Sequence, residues 1–304
     1  MPEYYLKGLT TADNNKYQLT IEDWEKLEKA KILIDNFYTI EQKYDLLISN
    51  YSSFEKELLL QTLDSTLRTS ESEFLQLVNL SSIIRETQNL IMSICLFYEQ
   101  VSNRHLDKLP INEQKLSKLS HILKNMKKEN LELDFIIHLR NHTAHRDIPI
   151  DSFILDNEWE KETDGNMNRL GHSIIPFISK DKLKNDKKFK KSLLNSSILV
   201  KNDKIDLRFP IRKTIAMLSN FMSVFRAELN IDLKNSDTII SIYIDKFLSF
   251  SNSSNHFCKA IYKSDEGVEK IFHLNKKQFE TISFYSKRNP SQGLLEKRYV
   301  HNRI

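Results

Sequence analysis

Apolar residues recur every three or four positions through most of the first half of the chain, a spacing that predicts helices. Leu75, Val78, Ile83, Leu90, Ile94 and Phe97, for example, trace one broad stripe along a long helix. From Leu9 to Leu109 neither glycine nor proline interrupts the pattern, so the helices should be long. Start signals divide the run: Thr20 precedes Glu22 and Asp23, Ser52 stands three residues before Glu55, and Ser70 three before Glu73. They place helices at about 21–49, 53–67 and 71–103. Pro110 and Asn112 open a further helix that carries Leu116, Leu119, Ile122, Leu123 and Met126 and ends near Asn130. Another spans about 131–146 and stops short of Pro149, because the residue before a proline is pushed out of the helical region.

From 150 to 209 the texture changes. Gly165 and Gly171 appear, 172–178 reads as a strand, and 198–209 suggests a hairpin turning at Asn202-Asp203. Pro210 then opens a helix apolar on most of its surface (Ile215, Met217, Leu218, Phe221, Met222, Val224, Phe225). A helix at about 237–250, a polar Ser-Asn-Ser-Ser-Asn linker at 251–255 and a hairpin of 256–263 with 268–274 around Asp265-Glu266-Gly267 complete the chain. The expected fold is mainly α: an up-and-down helical bundle with a small β-containing insertion and a small α+β C-terminal appendage. The expected division is a helical domain at 1–232, with the insertion at about 150–209, and the appendage at 233–304.

Composition narrows the function classes. With 304 residues, 40% hydrophobic and 28% charged, the chain fits a globular protein with a substantial core. No apolar run is long enough to span a bilayer, and Met1-Pro2-Glu3-Tyr4 lacks the basic-then-apolar layout of a signal peptide, so a cytoplasmic protein with no membrane partner is expected. Cys95 and Cys258, the only cysteines, support neither a disulfide framework nor a thiolate zinc site. None of the five glycines has the spacing of a phosphate-cradling loop, so nucleotide-driven chemistry and a bound cofactor are not expected. The net charge of +4 is modest, and the clustering of cations says more than their total.

Candidate chemistry concentrates at 138–147, His-Leu-Arg-Asn-His-Thr-Ala-His-Arg-Asp. Within it stands Arg140-Asn141-x-x-x-His145. An imidazole exchanges protons near neutral pH, a guanidinium donates two parallel hydrogen bonds to phosphate oxygens, and a carboxamide orients either. Cleaving RNA without a metal needs that set: the ribose 2′-hydroxyl loses a proton, the leaving 5′-oxygen gains one, and the crowded phosphate accumulates charge. On a helix His138, His142 and His145 fall within about 60° of one another, whereas Arg140 projects about 140° from His145. The set therefore spans an arc and requires a cleft, for example one made with a second subunit.

A helix ending in Arg-Asn-x-x-x-His within an otherwise helical protein resembles the HEPN superfamily, and Arg140, Asn141 and His145 are the matching residues. The resemblance implies an up-and-down bundle that forms a homodimer with two copies of the motif facing each other. It also implies metal-independent endoribonuclease activity on tRNA, mRNA or invader RNA, as in toxins and abortive-infection effectors held by an antitoxin or regulatory partner. Under it His145 is the general acid or base, Arg140 the phosphate clamp and Asn141 the orienter. A non-catalytic RNA-binding or partner-binding module on the same fold is the alternative.

Further groups carry weaker readings. His142 and His138 are possible auxiliaries to the site, and with His145 they have the spacing of a helical metal site, although no Cys or Glu nearby completes one. Lys182, Lys184, Lys187, Lys188, Lys190 and Lys191 form a basic run that either tracks an RNA backbone or is a solvated face. Lys287-Arg288 and Lys297-Arg298 repeat that choice on a smaller scale. Tyr243, Phe257, Tyr262, Phe272, Phe284 and Tyr285 are expected to serve the core rather than stack on bases. Arg85-Glu86 and Asn89 lie on the third expected helix, either facing the motif or on an exposed face.

Overall fold

The apolar stripes close into helices longer than the start signals suggest. A computed structural model describes residues 2–9, 15–67, 73–161, 167–251, 257–267 and 269–290. The start signal at Ser70, Gly165, most of the 251–255 linker and Lys297-Arg298 lie outside them. The elements, in order, are β1 (Glu3–Lys7), β2 (Lys16–Gln18), α1 (Ile21–Leu67), α2 (Glu73–Gln100), α3 (Glu113–Glu129), α4 (Leu131–His145), β3 (Ser152–Lys161), β4 (Met167–Ser179), α5 (Lys180–Asn185), β5 (Lys204–Asp206), α6 (Arg208–Ser251), β6 (Phe257–Lys263), β7 (Glu269–Asn275) and α7 (Gln278–Arg288). A π-helical turn at Val101–His105 and a 3-10 turn at Leu106–Lys108 follow α2. The described residues are therefore mainly helical, with two small antiparallel sheets among them. Among the described residues no helix is long and apolar enough to cross a membrane.

Two expected breaks are absent. Ser52-x-x-Glu55 has the pattern of a capping box, yet α1 continues through it. Tyr51, Phe54 and Leu58 keep the buried stripe in register, and Glu55 bonds both oxygens to Arg212 of α6 at 2.7 and 2.8 Å. Likewise α6 does not stop in the 230s, because Leu229, Leu233, Ile240 and Ile244 carry one buried face across that stretch.

The described residues divide into two compact units that interleave in sequence: those within 1–43, 101–120 and 223–290 in the first, and those within 44–100 and 121–222 in the second. In the first, a four-stranded antiparallel sheet runs β2-β1-β6-β7. The expected C-terminal hairpin is present as β6 and β7, and the N-terminal strand β1, unforeseen in the sequence, pairs with β6 along Glu3↔Lys263 to Lys7↔Lys259. Trp24 of α1 lies against Tyr4, Tyr262 and Phe272 on one face of this sheet, with ring centroids 5.3–5.9 Å apart. Tyr262, Phe272 and the buried Tyr243 thus serve the core as expected, whereas Phe257 and Phe284 are exposed. Phe37 stacks on Phe225, and Glu41 receives two 2.7 Å bonds from Arg226, which also reaches the Asn289 carbonyl.

In the second unit, α2 meets α1 through Tyr44 and Phe97, while α6 meets α1 through Tyr44 and Ser219 and through the Glu55–Arg212 pair. Its sheet runs β3-β4-β5, fastened to α1 where the Ile174 amide donates to the Thr62 hydroxyl at 3.2 Å. The turn at Asn202-Asp203 is where the sequence put it: both residues have positive φ, 49° and 57°, as a two-residue hairpin turn of the twisted sense demands.

Candidate functional site

α4 is a core helix whose last two turns emerge. Leu133, Phe135, Ile136, Ile137 and Leu139 are buried, and each burial contributes roughly 1.5–3 kcal/mol. Two acids in its first turns, where the helix dipole favours negative charge, are buried and paired: Glu132 with Lys213 at 3.0 Å and Asp134 with Lys190 at 2.5 Å. The helix ends at His145, where the Arg146 amide closes on the His142 carbonyl and the Ile148 amide bonds the Asp147 carboxylate before Pro149. Asn141 and His145 are exposed and have no hydrogen-bond or ion-pair partner among the described residues.

Arg140 points the other way, toward α2. Its Nη2 pairs with Glu99, and its Nε is buried with no acceptor among the described residues. It forms one wall of an open cleft of about 360 Å³ that α1 and α2 line with Leu46, Asn89, Met92, Leu96 and Glu99. Leu46, Met92 and Leu96 are 53%, 37% and 46% exposed, so the cleft opens within an apolar surface. Asn89, exposed, lines this cleft with Arg140, and Arg85 is spent on Glu86 and Ser82. Cys95 at the cleft floor is inert, because burial pushes its thiol up to about 11 against the pull of the Arg140 charge.

The other histidines face structural partners. His142 is buried, with Nδ1 2.9 Å from an Asp186 oxygen and Nε2 unpartnered. Burial pushes the Asp186 carboxyl up, but the hydrogen bond from His142, the Lys188 amide and the charges of His142 and Arg146 together leave it below its ordinary value. The contribution of Asp186 to stability is accordingly present above its unfolded pKa and is lost as pH falls through the lower folded one. His138 Nδ1 lies 2.9 Å from the Asp134 carbonyl, and its ring meets Phe189 edge-on. No three His, Cys, Asp or Glu side chains among the described residues are gathered to hold a metal ion.

The basic run is docked on α4 and its neighbours. Lys182 is shared between Asp151 at 2.7 Å and Asp147 at 3.1 Å, Lys190 is held by Asp134, and Lys191 donates to the carbonyls of Leu183, Lys184 and Asp186. Lys184, Lys187 and Lys188 remain exposed without an ion-pair partner among the described residues. Three of the six lysines thus fasten this segment down. The residues missed in the sequence are Glu99 and Asp186. The acids at 134, 147 and 151, close in sequence to the motif, were the signal that the lysines have partners.

No protein-family model, curated protein or solved structure matches the chain. The reading of the site rests on its chemistry alone.

Proposed function

We propose that this protein is a metal-independent endoribonuclease of HEPN type, built on a HEPN-like up-and-down bundle and acting on RNA such as tRNA or mRNA as a toxin or antiphage abortive-infection effector. The observation that carries the reading is the end of α4. Arg140 lines an open cleft, and Asn141 and His145 stand exposed and free on the same two turns. Arg140 would hold the scissile phosphate, Asn141 would orient it, and His145 would move the proton between the ribose and the leaving oxygen. The 2′-oxygen attacks phosphorus as its proton is removed, and the 5′-oxygen leaves with a proton, giving a 2′,3′-cyclic phosphate and a 5′-hydroxyl.

Arg140 and His145 project about 140° apart, so one helix does not bring both to a phosphate. A second copy completes the site, and the exposed Leu46, Met92 and Leu96 beside Arg140 supply an apolar face for a homodimer. RNA must also displace Glu99 from the guanidinium. That pair is partly exposed, with Glu99 at 42%, and an ion pair of this kind is worth at most about 1 kcal/mol.

The same pair favours the second reading, a non-catalytic RNA- or partner-binding module in which Arg140 is structural. Incubating the purified protein with tRNA or total RNA in excess chelator separates the two. The enzyme reading predicts cleavage undiminished by chelation; cleavage that chelation removes, or none at all, overturns it.

A further inference from the structure

The four-stranded sheet of the first unit carries a feature that the motif does not account for. Register places Lys16 opposite Lys7, Lys7 opposite Lys259, and Lys259 opposite His273. These four residues form one cross-strand row on the face opposite Trp24, since Trp24 packs on the alternate residues Tyr4, Tyr262 and Phe272. With strands about 4.8 Å apart, the row is roughly 14 Å long. Like charges directly opposite each other destabilise a sheet, so folding alone gives no reason to line them up.

The row is also only partly compensated. Lys16 lies 3.9 Å from Glu3 and over the Tyr5 ring, but Lys7, Lys259 and His273 have no carboxylate partner among the described residues. On one side Tyr5 and Ile261 are buried; on the other Phe257, two residues from Lys259 on the same face, is 38% exposed. A line of three lysines and a histidine beside an exposed aromatic matches a single nucleic-acid strand, whose phosphates follow the donors while a base stacks on the ring.

We propose that this face binds single-stranded nucleic acid, with Lys16, Lys7, Lys259 and His273 tracking the phosphates and Phe257 stacking on a base. The surface lies in a different unit from Arg140, and its existence does not depend on the ribonuclease reading.

The test uses the full chain and a fluorescein-labelled 20-nucleotide 2′-O-methyl oligouridylate, which 2′-hydroxyl attack cannot cut, so a failure of catalysis leaves the result intact. Affinity is measured from 50 to 300 mM salt. Replacing both lysines, Lys7→Gln with Lys259→Gln, is expected to make the log–log salt slope shallower by about 1.4, since each phosphate contact on a single strand contributes about 0.7. The thermal midpoint should stay or rise as the like charges are relieved. Lys7→Arg with Lys259→Arg should restore the slope, and Phe257→Ala should weaken binding about fivefold or more without changing it. An unchanged slope and affinity in the Gln variant overturns the proposal, as does a loss seen on anionic phospholipid vesicles but not on the oligonucleotide.

Discussion

His145→Ala is expected to lower kcat for RNA cleavage about 10²- to 10⁴-fold, the usual contribution of a positioned acid or base, while KM and the unfolding midpoint barely move. The stability half of this expectation follows from position. His145 is the last residue of α4, exposed and without a described partner, so alanine removes no packing and at most a few tenths of a kcal/mol of favourable interaction with the helix end. His142→Ala is the informative contrast. That imidazole is buried against Asp186, so its loss should cost about 1–3 kcal/mol of stability while leaving cleavage per folded molecule unchanged. Steady-state kinetics with urea denaturation of both variants checks the pair of outcomes. Equal effects of the two substitutions on kcat would mean that the histidines act through the fold.

Glu41→Ala is expected to lower the stability of the first unit by about 3–5 kcal/mol. Glu41 is fully buried and takes two 2.7 Å bonds from Arg226, whose side chain is 13% exposed; removing the carboxylate leaves a guanidinium buried without its counter-charge. Replacing both members by methionine should cost less than the single change, because a buried pair spends most of its attraction on lost hydration. Urea denaturation of the two variants is the measurement, and a single-variant loss under about 1 kcal/mol would mean that water reaches the pair.

The motif helix was legible almost to the residue. Its apolar lead-in of Phe135, Ile136 and Ile137 and the stop before Pro149 are local signals, and the helix runs Leu131–His145. The Asn202-Asp203 turn and the β6–β7 hairpin were readable for the same reason. What misled were local signals that distant partners override. Ser52-x-x-Glu55 resembles a helix start, but Glu55 is engaged by Arg212, 157 residues away. The strand β1 was invisible because its partner β6 lies some 250 residues on, and five residues carry too little alternation to announce a strand unaided. At the candidate site, the residue pattern put Arg140, Asn141 and His145 on one helix end with an arc between them. It did not give Glu99 on the guanidinium or Asp186 on His142, because ion pairs between segments 41 and 44 residues apart leave no spacing to read.

In the proposed mechanism Arg140, Asn141 and His145 cut RNA by in-line attack of the neighbouring 2′-hydroxyl. The chemistry of the product ends tests it most directly: fragments made by the full chain in chelator are purified and their termini identified by mass spectrometry. A 5′-hydroxyl with a 2′,3′-cyclic phosphate is the predicted result. A 5′-phosphate with a 3′-hydroxyl would show that water or another nucleophile attacked instead, and would contradict the account.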